Sequence, residues 1–403
     1  MNKAMLADDI STTECLEFDL KNCSTGMLVL QPTGFCNIDC RYCYLPDRTK
    51  HTKMPDDVVS AAADMLVQNN LLRDHLSVVW HAGEPLVLPA SYYDNAMAIV
   101  RDKIPDTCKI THYVQTNATL ITQEWCDVFS RNDVSVGVSM DGPKQLHDLN
   151  RVTRSGAGTY DTVMKGIRLL QKNNINFHII SVLTKRALFF PDEFYAFFVE
   201  NGIEEVCFNV EEIEGANDQS TLSTNGVEKL YRQFMERFLK LAGAESKIKR
   251  LREFAHAYGA LFLQNTAEKI NDQASPLAIV SVATNGDFSS YSPELLGIVD
   301  KRFGDFTLGN VVDNQLCDII ETEKFKSIHT EIAAGVQACQ AGCPYFSVCG
   351  GGAPANKFFE TGQFSSTETL YCKLTVQVVT DIVLKACNDG FTIKDAQTDY
   401  PTL

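Results

Sequence analysis

Two groups of cysteines offer the most legible chemistry in this chain. In PTGFCNIDCRYCYLP, Cys36, Cys40 and Cys43 are separated by three and two residues. Such short spacings let one loop wrap a compact inorganic cluster with its thiolates pointing inward. Three thiolates are one fewer than a cube of four irons needs. One iron is then left open to chelate amino and carboxylate groups and to pass on an electron. Spacing alone also allows a structural zinc site with a distant fourth ligand, because three-thiolate loops serve both metals. The second group is Cys339, Cys343 and Cys349, with Cys372 downstream. Four thiolates can close the coordination of one [4Fe–4S] cluster, which suits electron transfer or scaffolding. Zinc again competes on spacing.

The remaining seven of the 14 cysteines are scattered: Cys15, Cys23, Cys108, Cys126, Cys207, Cys317 and Cys387. Most of these read as small buried hydrophobes. A formal charge of −15 with no concentrated basic face argues against nucleic acid as a partner. The opening residues carry acids and no long apolar run, so they are not a secretory signal. No apolar stretch reaches transmembrane length, so neither a membrane partner nor a membrane location is expected. A soluble, cytoplasmic protein is the expectation, and its reducing surroundings make clustered cysteines metal ligands rather than disulfides.

The elements that must position these residues alternate. Strands are predicted at 27–31, 76–81, 109–116, 134–140, 176–183 and 204–210. Helices are predicted at 56–69, 91–102, 122–131, 160–173, 191–201 and 228–242. Such alternation implies parallel strands joined by right-handed crossovers. Six units are too few for a closed eight-stranded barrel, so the expected fold is α/β, a partial (β/α)6 barrel. The expected domains are an N-terminal extension at 1–25, the barrel at 26–242, a helical bridge at 243–275 and a small Cys-rich domain at 276–403. In that last part ATNGDFSS and FGDFTLGN read as short hairpin pieces, and its loops are expected to need a metal to organise them.

The CxxxCxxC segment, with Tyr42 before its last cysteine and a strand before it, resembles the defining motif of the radical SAM superfamily. Further resemblances follow in order. HAGEP (81–85) is similar to the family's Gly-Gly-Glu-Pro segment, whose backbone carbonyls meet the amino group of S-adenosylmethionine (SAM); Ala82 stands where the first glycine usually is, followed by Gly83, Glu84 and Pro85. QTNATL (115–120) resembles the QTNGTL of peptide- and sulfatase-modifying members, which marks Gln115 and Asn117 as cofactor-pocket residues. VSMDGPKQLHDLNR (138–151) resembles a segment in which a serine, here Ser139, contacts the ribose. A downstream arginine there pairs with the SAM carboxylate. Arg151 is the choice here, with Arg154 competing. An arginine suits that task because its planar fork matches a carboxylate.

The second cysteine group resembles the auxiliary-cluster extension called SPASM or twitch, with departures. Ala353 replaces a further cysteine, and Tyr291-Ser292-Pro293-Glu294 stands where relatives carry a Tyr-x-Cys piece. One auxiliary [4Fe–4S] cluster is therefore expected rather than two. In anaerobic sulfatase maturases an aspartate follows that missing cysteine and acts as base. Pro293 occupies its position here, and Glu294 is the nearest acid and the candidate base. Glu211 and Glu212, after the sixth strand, are weaker candidates. A carboxylate buried beside a cluster can have its pKa raised into a useful range.

WHAGEPL, YSPELLG and CGGGAPANKFFETG together resemble the cyclophane-forming peptide maturases of the GrrM/OscB type. That resemblance implies a ribosomally made precursor peptide as substrate and an external one-electron reductant of the flavodoxin or ferredoxin kind. The implied reaction links an aromatic ring carbon to the β-carbon of a nearby residue. Sulfatase-maturase-like oxidation of a protein Cys or Ser, a thioether-forming maturase and a non-enzymatic iron–sulfur electron carrier remain open. Only 35 residues precede Cys36, which is expected to be too few for a leader-recognition domain at that end. Peptide capture is then expected at another surface, such as a sheet edge, or through a separate partner.

Overall fold

The computed structural model describes residues 18–390 apart from 47, 246 and 264–269. Cys15, most of the 1–25 extension and residues 391–403 lie outside the described residues.

Seven strands run parallel and sit side by side in sequence order: β1 (Thr25–Leu30), β2 (Leu72–Trp80), β3 (Lys109–Thr116), β4 (Ser135–Ser139), β5 (Phe177–Leu183), β6 (Glu205–Val210) and β7 (Arg250–Leu251). The seventh has two residues and was not expected; it pairs Glu205 with Arg250 and Val206 with Leu251. Helices at Asp56–Gln68, Ala90–Lys103, Gln123–Arg131, Tyr160–Lys172, Pro191–Glu200 and Val227–Glu245 cross between the strands. Strands covered by helices are buried on both faces and read as apolar runs, as in the fully buried Leu76–Trp80 half of β2. The segment after β4, expected as a long loop, holds a helix at Lys144–Asn150 opened by Pro143.

The expected boundary at 276 falls inside one sheet. β8 (Ile279–Val282) lies parallel to β1, Met27 pairing with Ile279 and Leu30 with Val282. β9 (Asp287–Ser290) folds back on β8 through the ATNGD turn, and β12 (Gly309–Asn310) pairs with β9. A separate two-stranded ribbon joins β10 (Val299–Asp300) to β11 (Gly304–Asp305). The ten-stranded sheet is open, ending on β7 at one side and β12 at the other. One core runs from Leu28, Val78 and Val136 through to Phe325, Leu374 and Val378. A smaller one, with Phe303, Phe306, Phe358 and Phe364, underlies the C-terminal part.

That C-terminal part is more helical than its glycines and cysteines imply. Cys339 sits in the last turn of a helix at Glu323–Gly342, Cys343 caps it, Cys349 ends a short helix and Cys372 opens a π-helical turn. No helix of the described residues is long and apolar enough to cross a membrane. Among the scattered cysteines Cys108, Cys126 and Cys207 are buried. Cys23 and Cys387 are half-buried, and Cys317 is exposed, against the expectation.

Candidate active site

Parallel strands deliver their carboxyl ends to one side of the sheet, and the loops leaving them line a cavity of about 260 Å³. Cys36, Cys40 and Cys43 reach it from the loop after β1. That loop is held by backbone bonds from Asp39 N to Val152 O at 2.7 Å and Arg41 N to Asn150 O at 3.0 Å. Arg154 donates to the Cys36 carbonyl at 3.0 and 2.7 Å. Its guanidinium therefore braces the loop and is not among the cavity-lining groups.

Arg151 does line the cavity. Its Nη1 lies 3.9 Å from Cys40 Sγ, and its Nε is ion-paired with Asp141 at 3.1 Å, both groups being almost wholly buried. Asp141 also accepts the Val182 N–H at 3.0 Å and the Tyr42 hydroxyl. A buried ion pair is tolerable when such extra bonds satisfy its remaining lone pairs. Burial, then the Glu84 carboxylate, pushes the Cys36 thiol up to about 12; burial pushes Cys40 up to about 11 against the pull of Arg151. These thiols also raise one another, which marks them as neighbours. Thiols so hard to ionise need a metal to draw off their protons. Among the described residues, no three His, Cys, Asp or Glu side chains are grouped to hold a single metal ion. A cube does not require that, since each thiolate takes a different iron. The residues present fit an iron–sulfur cube.

The turn after β2 approaches this loop closely. Ala82 and Gly83 are both left-handed, at φ +75° and +57°. A Cβ on Gly83 would stand 2.5 Å from Phe35 O and 2.7 Å from Thr33 O. Ala82 thus keeps the course of a glycine while bearing the strain of a side chain. The Glu84 carboxylate faces inward and accepts from Leu86 N at 3.0 Å, Thr116 Oγ1 at 2.6 Å and Asn117 N at 2.7 Å. Burial raises it to about 7 in spite of these donors. Pro85 opens the short helical turn that follows. Asn117 donates to Asn37 Oδ1 at 2.9 Å and lies 3.8 Å from Cys36 Sγ. Gln115 donates to Ser139 Oγ at 3.0 Å across β3 and β4. Gly137 makes that possible, because a Cβ there would sit 2.0 Å from Gln115 Oε1.

The far end of the cavity is acidic. Glu212 and Glu214 enter from the loop after β6, and Glu294 from the turn after β9. Glu294 accepts from Ser292 Oγ and Glu212 from Asn356 Nδ2. Burial, then the charge of Glu294, pushes Glu212 up to about 8 and raises Glu214 well above the ordinary carboxylate range. Burial raises Glu294 as well. Glu214 went unnoticed in the sequence, where only its place after the sixth strand marked it. Glu211 differs from its neighbours: its carboxylate is taken by Thr221 N at 2.8 Å and by the Thr221 hydroxyl. Tyr44 brings a buried hydroxyl without a hydrogen bond to the same acids.

The second cysteine group lies beyond this acidic end. Ala353, Asn356 and Tyr371, which flank it in sequence, line the cavity. Burial raises Cys372, with charge on Cys349 and Cys343 adding to it, and burial raises Cys349, with charge on Cys343 and Cys339 adding to it. Gly350, Gly351 and Gly352 all have positive φ, at 65°, 106° and 76°, and turn the chain after Cys349. Asn271 Nδ2 ties that turn down through Cys349 O at 3.0 Å and Gly352 O at 3.1 Å.

Comparison with known proteins decides the family. Residues 30–186 match the model of the Radical SAM superfamily. Over 370 residues the chain is 40% identical to the uncharacterised protein sll1766 of Synechocystis sp., covering 91% of this chain and 93% of that one. The chain belongs to the radical SAM superfamily. It is also 26% identical over 368 residues, 86% of each chain, to a serine-type anaerobic sulfatase-maturating enzyme of Bacteroides thetaiotaomicron. The radical SAM fold is shared with solved structures. One is native anSMEcpe with bound AdoMet and Cp18Cys peptide (TM-score 0.70, 21% identity, 91% of this chain and 99% of that one). Another is Streptococcus suis SuiB bound to precursor peptide SuiA (TM-score 0.61, 17% identity, 87% and 76%). As a radical SAM enzyme the chain uses a [4Fe–4S] cluster and SAM.

Proposed function

We propose that this radical SAM enzyme matures a ribosomally made precursor peptide by joining an aromatic ring carbon to the β-carbon of a nearby residue, a cyclophane cross-link. The observation that carries the reading is that one cavity is lined both by the three thiols with their polar pocket and by three carboxyls, Glu214 buried and Glu212 and Glu294 half-buried. When bound, the first cluster and SAM supply a 5′-deoxyadenosyl radical that removes a β-hydrogen atom, and the second cluster supplies an electron acceptor. Cys36, Cys40 and Cys43 hold the first cluster; Cys339, Cys343, Cys349 and Cys372 hold the second.

The chain's own groups do the rest. The backbone at Ala82–Pro85 binds the SAM amino group, Ser139 the ribose and Arg151 the carboxylate. Gln115 orients Ser139, Asn117 steadies the cluster loop and Tyr42 steadies Arg151 through Asp141. A ring that has gained a carbon–carbon bond must lose one electron and one proton to regain aromaticity. Glu294 takes the proton at its carboxylate, and Glu212 and Glu214 share it. Their raised pKa values suit groups that alternate between acid and base. Glu211 is the weakest candidate, since Thr221 already engages it. An external one-electron reductant of the flavodoxin or ferredoxin kind starts the cycle. A cytoplasmic setting suits cysteines grouped as cluster ligands rather than as disulfides.

A peptide substrate is supported by the peptides bound in the anSMEcpe and SuiB structures. The similarity to the Bacteroides enzyme favours a second reading, oxidation of a protein Cys or Ser. The test is to incubate reduced, reconstituted enzyme with SAM and a short peptide encoded beside its gene. The expected product lacks two hydrogens per event, with fragmentation placing the link between an aromatic residue and its neighbour. A product that reacts with a hydrazide, and so bears an aldehyde, would overturn the cross-linking reading in favour of the second.

A further inference from the structure

Lys357 is only 3% exposed, a rare state for a lysine. It lies on the helix Pro354–Thr361, and its Nζ donates to Gly335 O at 3.2 Å and approaches Cys339 Sγ at 3.5 Å. Gly335 and Cys339 are four residues apart on the helix Glu323–Gly342, so carbonyl and thiol face the same ammonium. Among the described residues no carboxylate forms an ion pair with Lys357. Burying an ammonium is costly unless an opposite charge accompanies it. One neutral carbonyl and a neutral thiol do not meet that need; a thiolate does.

We propose that Lys357 is the built-in counter-ion of the second cluster: its ammonium, fixed beside Cys339 Sγ, holds that cluster's reduction potential up. The proposal rests on the reading that Cys339, Cys343, Cys349 and Cys372 bind a [4Fe–4S] cluster. Four thiolates leave such a cluster anionic, and uptake of one electron makes it more so. A fixed cation in a poorly polarisable interior therefore favours the reduced state. Gln377 Nε2, 3.6 Å from Cys372 Sγ, acts in the same sense, but as a neutral donor. The first cysteine group is arranged differently. Arg151 lies 3.9 Å from Cys40 Sγ, yet its charge is already offset by Asp141 at 3.1 Å. The uncompensated cation is thus at the site that receives the electron, and Lys357 is a positioning residue that acts through the cluster.

The test uses the full chain with Cys36, Cys40 and Cys43 replaced by alanine, so that only the second cluster is present. Its midpoint potential is read by titration followed by electron paramagnetic resonance, beside iron content. Lys357→Met should keep about four irons. At a fixed ambient potential its ratio of reduced to oxidised cluster should fall about tenfold, which is about 59 mV for a one-electron couple. Lys357→Arg should stay near the parent. Full iron with an unchanged potential in Lys357→Met overturns the proposal. Iron lost in Lys357→Met but kept in Lys357→Arg supports it, because charge is then what retains the thiolates. Iron lost in both shows a packing role and overturns it. A parent chain with no iron at all sinks the second-cluster assignment and the proposal with it.

Discussion

Gly83 lies so near the first cysteine loop that a Cβ on it would stand 2.5 Å from the carbonyl oxygen of Phe35. The neighbour it would strike is backbone, so no side chain can swing aside to relieve the clash. Gly83→Ala should therefore displace the loop bearing Cys36, losing most of the first cluster's iron. Ala82→Gly should do the opposite and stabilise the fold by about 0.5–1 kcal/mol, since it relieves a left-handed alanine at φ +75°. Iron analysis and urea unfolding of the two variants check the pair.

Arg151 and Asp141 form a buried pair with Tyr42 and Val182 completing it. Arg151→Lys keeps the charge but loses the fork that spans Asp141 and a SAM carboxylate. SAM binding should weaken at least tenfold, about 1.4 kcal/mol, with iron content unchanged. Equilibrium dialysis against labelled SAM measures it.

Burial raises all three acids at the far end, and burial with the charge of Glu294 pushes Glu212 up to about 8. A base must be ionised, so the rate of cross-linking should climb as pH rises through the raised range of Glu294, above that of an ordinary carboxylate. Glu294→Gln should lower that rate by about a hundredfold while 5′-deoxyadenosine still forms. Glu212→Gln leaves Glu294 in place and should lower the rate less than Glu294→Gln does. A pH series with product quantified by mass spectrometry shows all three.

His112 is buried and accepts the Trp80 indole N–H at Nδ1, 3.3 Å away; burial pushes its pKa down to about 3. The folded chain keeps it neutral, and the unfolded chain protonates it below about 6.5. Its contribution to stability is therefore whole above about pH 6.5 and is lost as pH falls toward 3. Between those limits stability of the parent should fall more steeply than that of His112→Gln, by up to about 1.4 kcal/mol per pH unit. Urea unfolding at pH 7 and pH 5 compares the slopes.

The barrel was legible because its signal is local and repeated. Apolar runs such as LSVVWH and helical periods such as YDTVMKGIRLLQKN carry their own period, and the elements at Leu72–Trp80 and Tyr160–Lys172 follow them. The cavity's SAM end was legible because each motif sits on the loop after one strand, and parallel strands bring those loops together. What was not legible depends on distant pairing. Ile279–Val282 becomes a strand by lying beside β1, some 250 residues away, and no local period announces that. The helix at Glu323–Gly342 and its cap place Cys339 and Cys343 four residues apart, a spacing that a metal-binding loop shares with a helix face. Glu211 and Glu214 are three residues apart and both line the cavity; what separates them is that Thr221, ten residues on, takes the Glu211 carboxylate, and no local pattern announces that.

An aromatic ring carbon that gains a bond loses its hydrogen, and a ring-deuterated substrate reports that loss. A precursor peptide whose aromatic residues carry deuterium on every ring carbon is treated with reduced enzyme and SAM. Each turnover should remove one ring deuterium to solvent and one β-hydrogen into 5′-deoxyadenosine. A turned-over peptide that keeps all of its ring deuterium, with oxidation at Cys or Ser instead, would contradict the cross-linking reading.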